Sequence, residues 1–202
     1  MEPSFTAIIF DWHGVLDLAT YRGFSHFLSS ITGRSPVDIR PVISPVERQY
    51  VLGQVSPGDF WAFLERTLAL TAVQLGTVRE YLLTVRKNEP LWAMLPEFAQ
   101  RYTLAILSDC PADKLAVIRS TTDLTSFRVA HFSCEQGRSK EDAEFFTALA
   151  AALACPPGSC LYVDDAERHV VTAQGLGFRT CSFASPEDLT RSLEGSTAPA
   201  DT

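Results

Sequence analysis

Short apolar runs that stop on a polar residue most narrow what this 202-residue chain can fold into. Ala7-Ile8-Ile9-Phe10 ends at Asp11, Thr103 to Leu107 at Ser108-Asp109, and Cys160 to Val163 at Asp164-Asp165. Val129 to Phe132 is a weaker run that ends at Ser133, and Arg179 to Phe183 reads as a fifth strand. Runs of this length without polar alternation fit strands buried on both faces, as in a parallel sheet. Helical patterns separate them: Leu91 to Arg101, a segment behind Pro111, Asp142 to Leu153, Glu167 to Leu176, and Pro186 to Leu193. Ser139-Lys140-Glu141-Asp142 has the pattern of a capping box opening the third of these. Strand and helix in alternation predict an α/β fold, a doubly wound, Rossmann-like parallel sheet.

The alternation is interrupted once. After Asp17 the pattern is helical for about seventy residues. Tyr21 to Ile31 is one candidate helix, Ser35-Pro36 opens a second, and Val46 to Leu52 offers a third. Ser56-Pro57-Gly58-Asp59 is a helix start, with Ser at the N-cap, Pro at the first helical position and an acid two residues on. Gln74 to Val85 gives another helix. The expected organisation is a core from 1–17 and 89–195, an inserted helical bundle at 18–88, and a flexible tail at 196–202.

Charge and composition exclude several classes of function. The net charge is -7 and no basic run occurs, which argues against a nucleic-acid surface. No stretch approaches the length of a membrane span, and the first residues lack a basic, then apolar, leader. The five cysteines are scattered without CxxC pairs, as expected for reduced thiols in a cytoplasmic protein. Monomer and homodimer are both open.

In a parallel sheet the carboxyl ends of all strands lie along one edge, where such folds bind ligands. Asp11, Ser108 and Asp164-Asp165 would meet there, with Lys140 at the start of a neighbouring helix. They supply a carboxylate nucleophile, a hydroxyl, a cation and metal-binding oxygens, a set suited to phosphoryl transfer.

These residues resemble the motifs of the haloacid dehalogenase-like hydrolases, in the phosphatase-like branch with a helical cap. Asp11-Trp12-His13-Gly14-Val15 resembles the first motif, DxDx(T/V). Ser108 after LAIL matches the second, Lys140 the third, and Asp164-Asp165 after LYV the fourth. The resemblance covers essentially the whole chain. It implies that Asp11 attacks phosphorus and that Mg²⁺ is held by Asp11, the His13 carbonyl and Asp165. Asp164 would reach the metal through water or orient its neighbours. Ser108 and Lys140 would bind phosphoryl oxygens, with Asp109 in the same loop, and segment 18–88 would cap the site. The implied partner is a small phosphorylated metabolite.

Three positions depart from the family pattern. His13 stands where most phosphatase members have an acid–base Asp. Histidine can carry a proton itself, or the site could be impaired, or the chemistry could differ. His169 stands where Asn or Asp is usual and is a candidate to line the site. Asp109 stands where Asn often follows the serine. The expected activity is hydrolysis of a small phosphomonoester through an aspartyl-phosphate. The alternatives are a 2-haloacid dehalogenase-type reaction, with Arg48 holding a halide or carboxylate, and a catalytically impaired phosphate-binding protein.

Overall fold

The computed structural model describes residues 5–19 and 23–195. Five strands, β1 (Ala7–Phe10), β2 (Thr103–Ser108), β3 (Phe127–Phe132), β4 (Cys160–Asp164) and β5 (Arg179–Ser182), form one sheet in the order β3-β2-β1-β4-β5. Every pairing is parallel. The predicted doubly wound α/β sheet is therefore present. Its central strands β1, β2 and β4 read as continuous apolar runs because both faces are covered, whereas the edge strands β3 and β5 are only partly buried. Ile8 and Phe10 pack with Leu104, Ile106 and Val163 on one side. Ala7 and Ile9 pack with Ala105, Leu107 and Tyr162 on the other. The first face is closed by α5 (Glu89–Arg101), α6 (Ala112–Thr121) and α10 (Pro186–Gly195), the second by α8 (Ala143–Leu153) and α9 (Glu167–Gly175). A single turn, α7 (Ser133–Gln136), follows β3.

Between β1 and α5 lie the inserted helices α1 (Phe24–Thr32), α2 (Pro36–Val51), α3 (Pro57–Leu68) and α4 (Ala72–Leu83). They bury a core of their own, which includes Leu28, Ile43, Tyr50, Phe60, Trp61, Leu64 and Val78. Tyr50 stacks on Phe60 with ring centroids 3.8 Å apart. The helix start at Ser56 forms as expected: its Oγ accepts the Asp59 N–H at 3.1 Å. Among the described residues no helix is long and apolar enough to cross a membrane.

Several boundaries differ from the sequence expectation. The two candidates at Ser35-Pro36 and Val46 to Leu52 are one helix, α2. Pro41 and Pro45 lie inside it. Each removes an amide that would bond the carbonyl four residues back. Those carbonyls belong to Val37 and Pro41, both exposed, so water can take the place of the lost donors. Helix α4 begins at Ala72 rather than Gln74, because Thr71 and Gln74 form a capping box. Strand β3 starts two residues earlier than expected, at Phe127. The Ser139–Asp142 pattern is not a helix cap. The Asp142 carboxylate turns back to accept the Ser139 N–H at 2.9 Å, closing a turn ahead of α8. Tyr21 and the tail at 196–202 lie outside the described residues.

The insertion enters and leaves at one place. Leu18 N–H donates to the Arg86 carbonyl at 2.7 Å, and Asn88 N–H to the Leu16 carbonyl at 3.0 Å. Gly53, with φ of 72°, brings the end of α2 against α7, where an added Cβ would sit 2.4 Å from the Cys134 carbonyl oxygen. Gly33 has a similar φ of 70° but open space around it. Gly53→Ala is therefore expected to lower the unfolding free energy by more than the roughly 1 kcal/mol of left-handed backbone strain alone. Gly33→Ala should cost only that strain. Urea unfolding of the two variants side by side measures the difference, and equal costs would contradict the close approach.

Candidate active site

The register of the central strands fixes the site. Phe10 pairs with Ile106 on one side and Val163 on the other. One residue further, Asp11 is level with Leu107 and Asp164, and the Asp11 N–H donates to the Val163 carbonyl at 2.9 Å. Asp11 and Asp164 thus leave adjacent strands side by side. Lys140 reaches in from the loop before α8. Its Nζ lies 2.5 Å from Asp11 Oδ1 and 2.8 Å from Asp164 Oδ2, and all three side chains are almost wholly buried.

Asp164 is saturated with donors. Its Oδ2 accepts from Lys140, from the Tyr162 hydroxyl and from His169 Nδ1 at 3.1 Å, and its Oδ1 accepts the Ala166 N–H at 2.7 Å. Arg168 Nε–H donates to His169 Nε2 at 3.1 Å, so the ring proton sits on Nδ1 and faces Asp164. Asp109 Oδ1 accepts the Lys140 N–H at 3.0 Å. The Asp109 carboxylate is thereby turned onto the Lys140 loop, which answers how an acid is tolerated there.

The electrostatics follow from crowding three acids around one ammonium. Burial pushes the Asp11 carboxyl well above the usual carboxylate range, against the pull of Lys140, and the Asp164 charge adds to the rise. Burial likewise raises Asp109, opposed by Lys140. Asp164 goes the other way. Its burial is outweighed by Lys140, by the hydrogen bond from His169 and by its other donors, so it stays ionised. Burial would lower Lys140, but Asp11, Asp164 and Asp109 together raise it. Burial, with the charges of Lys114 and Lys140, pushes the His13 imidazole well below its ordinary range.

A cavity of about 680 Å³ opens above these groups. Asp11, His13, Asp109, Lys140, Asp165 and His169 line its floor, and α2 supplies the opposite wall with Arg40, Ser44, Glu47 and Arg48. Those four recur at helical spacing on one face of α2. Arg48 crosses the mouth to Glu141 at 3.1 Å. The structure thus brings together six of the eight candidate residues at one cavity. Asp164 lies directly beneath, bound to Lys140. Ser108 is wholly buried at the end of β2, and its Oγ has no hydrogen-bond partner among the described residues.

Asp11, Asp164 and His169 offer donor atoms within 4.8 Å of one another. Asp165 is outside that group. It packs so closely on Gly14 that a Cβ there would lie 2.3 Å from its Oδ2, which explains the glycine, whose φ is 83°.

Sequence reasoning missed Tyr162 and Arg168. Tyr162 could have been found, because it lies two residues before Asp164 and so on the same face of the strand.

No family model and no curated protein matches the sequence. Solved structures do match. The HAD family enzyme BT-2542 of Bacteroides thetaiotaomicron superposes with a TM-score of 0.79 at 18% identity, covering 93% of this chain and 98% of that one. A predicted HAD-like family hydrolase of Porphyromonas gingivalis gives 0.74 at 24% identity, covering 94% and 98%. The chain has the haloacid dehalogenase-like fold. The L-2-haloacid dehalogenase of Xanthobacter autotrophicus shares this fold more distantly, at a TM-score of 0.60 and 19% identity over 96% and 85%. Nearly complete coverage of the first two relatives means that the haloacid dehalogenase-like fold here includes the inserted helices as well as the sheet.

Proposed function

We propose that the protein is a Mg²⁺-dependent hydrolase of a small phosphomonoester, working through an aspartyl-phosphate on Asp11, with the inserted helices as a cap. The observation that carries this reading is the Asp11–Lys140–Asp164 cluster at the ends of adjacent central strands, at the floor of the cavity that α2 walls. A carboxylate oxygen is there to attack phosphorus, and Lys140 is there to meet phosphoryl charge. Asp164 holds Lys140 in place. Ser108 contributes a buried hydroxyl with no bond to lose.

The site fits a divalent cation. Asp11, Asp109 and Asp164 share one ammonium, and buried carboxylates in excess of cations are costly. Oxygen donors suit Mg²⁺. Asp165 lines the cavity, so it is the direct ligand proposed alongside Asp11 and the His13 carbonyl, while Asp164 holds Lys140. BT-2542 has been crystallised with magnesium and inorganic phosphate, which supports the same pairing here. When bound, the ion offsets negative charge on the transferring phosphoryl group.

The steps follow from the residues. An Asp11 carboxylate oxygen bonds to phosphorus as the bond from phosphorus to the leaving oxygen breaks. His13 is neutral in the free protein, and the charge of an arriving phosphate dianion favours its protonated form. That form hands its proton to the leaving oxygen. The neutral imidazole then takes a proton from the water that attacks the aspartyl-phosphate, returning Asp11 and phosphate.

Release of p-nitrophenol from p-nitrophenyl phosphate tests this. Turnover is expected with Mg²⁺, is expected to vanish with EDTA, and should fall by about 10² to 10⁴ in His13→Asn, the usual range for lost acid–base help. Metal-independent halide release from a 2-chloro acid, with no phosphate release, would support the dehalogenase chemistry instead.

A further inference from the structure

Two residues at the start of α6, Asp113 and Lys114, grip the inserted helices from below. Neither lines the cavity. Asp113 accepts the Tyr50 hydroxyl hydrogen and the Trp61 Nε1–H, the latter at 2.8 Å. Tyr50 lies near the end of α2, the helix whose polar face forms the cavity wall, and Trp61 lies on α3. Both rings are nearly buried. Lys114 Nζ lies 3.1 Å from Asp17 and donates to the Thr84 carbonyl, so it holds the point where the insertion enters and leaves. The same turn of helix follows directly on the Ser108 loop at the end of β2.

We propose that Asp113 is the positioning residue that latches the cap closed over the site, through its paired hydrogen bonds to Tyr50 and Trp61. This rests on reading the inserted helices as a cap. The two grips differ in kind. The Lys114 contacts lie at the crossing chains, where a swing of the cap moves atoms least. The Asp113 contacts are made to α2 and α3 themselves, beyond the crossing chains, so in the proposed opening they are the ones that break. The latch also sets where α2 carries Arg40, Glu47 and Arg48 relative to Asp11. A carboxylate with two donors from different helices fixes an orientation that a single bond would leave free.

A latch that is lost shifts the population towards the open state. Substrate must then pull the cap shut, which raises KM by the fraction of closed molecules forfeited and leaves kcat at saturation nearly unchanged. The test is hydrogen exchange by mass spectrometry on the full chain, with steady-state kinetics beside it. In Asp113→Ala, amides of residues 50–55 and 133–141, on facing sides of the mouth, are expected to exchange at least about tenfold faster, as loss of charged hydrogen bonds implies. Amides of 104–107 and 161–163 in the sheet should be unchanged. KM for p-nitrophenyl phosphate should rise about tenfold, with kcat within about twofold. Tyr50→Phe and Trp61→Phe should each give part of the effect, and Asp113→Asn should restore part of it. Once Asp113 is Ala, Tyr50→Phe should add nothing.

Exchange that accelerates equally in the sheet, or does not change at the mouth, overturns the latch. So does a loss of kcat with KM unchanged. Should the wild-type chain hydrolyse no phosphate ester, the proposed function fails, and the exchange pattern alone still decides the latch.

Discussion

Asp11→Asn is expected to cut hydrolysis of p-nitrophenyl phosphate by about 10⁴-fold or more while the protein stays folded, the scale of loss when a nucleophile is removed. The amide is nearly the same size as the acid, so the tight packing at the end of β1, where Asp11 is 4% exposed, is kept. Its oxygen can still accept the Trp12 N–H that Asp11 Oδ1 accepts at 2.6 Å. Only the charge and the nucleophilicity go. Removing one of three crowded carboxylates also makes the metal-free pocket less negative, so inorganic phosphate without Mg²⁺ should bind the variant more tightly than the wild type, whereas Mg²⁺, which loses a ligand, should bind it less tightly. Calorimetry with phosphate alone and with Mg²⁺ alone reads those effects without turnover. An Asn variant that keeps activity within tenfold of the wild type would rule out Asp11 as the nucleophile.

Lys114→Met should lower the unfolding free energy by about 3 to 5 kcal/mol, the range for breaking a buried ion pair from one side. Lys114 and Asp17 both have wholly buried side chains, with Nζ and Oδ2 3.1 Å apart. Asp17 also accepts from Trp12 Nε1 at 3.2 Å and from the amides of Ala19 and Arg86 at 2.9 and 2.7 Å. With Lys114 gone, a charge stays buried with neutral donors only. Adding Asp17→Asn removes that charge, so the double variant should recover part of the loss, and the four proteins form a cycle that isolates the pair. Urea unfolding supplies the numbers. A cost for Lys114→Met below about 1 kcal/mol would place the pair in the class of solvated surface bridges.

The strands that carry the candidate site were legible because a strand buried on both faces leaves no polar positions to blur it. The residues ending β1, β2 and β4 could be named without coordinates for the same reason. The insertion was less legible. Pro41 and Pro45 look like breaks in sequence, and one helix is tolerated because the residues whose carbonyls they orphan, Val37 and Pro41, are exposed. The capping box at Thr71 is local, with Gln74 three residues on, and so lies within reach of sequence. The Ser139–Asp142 pattern serves a turn, because the same side-chain bonds can close either structure. The Asp17–Lys114 pair was out of reach. Its partners are far apart in the chain, and a lysine at the start of α6 carries no local sign that it will be buried. Asp113 was hidden likewise, since its donors come from two helices of the insertion.

The entry and exit of the insertion, tied by the Leu18–Arg86 and Asn88–Leu16 hydrogen bonds, have a consequence for how such a chain can change length. Because the two ends already meet, the sheet sees everything between them as one closed loop. Its closure entropy grows only with the logarithm of its length, about 0.6 kcal/mol for each doubling. Helices could be added to or trimmed from the far side of the bundle with almost no penalty to strand pairing. Evolution can therefore rebuild the enclosure around Asp11 piece by piece while the strand ends beneath it stay in register.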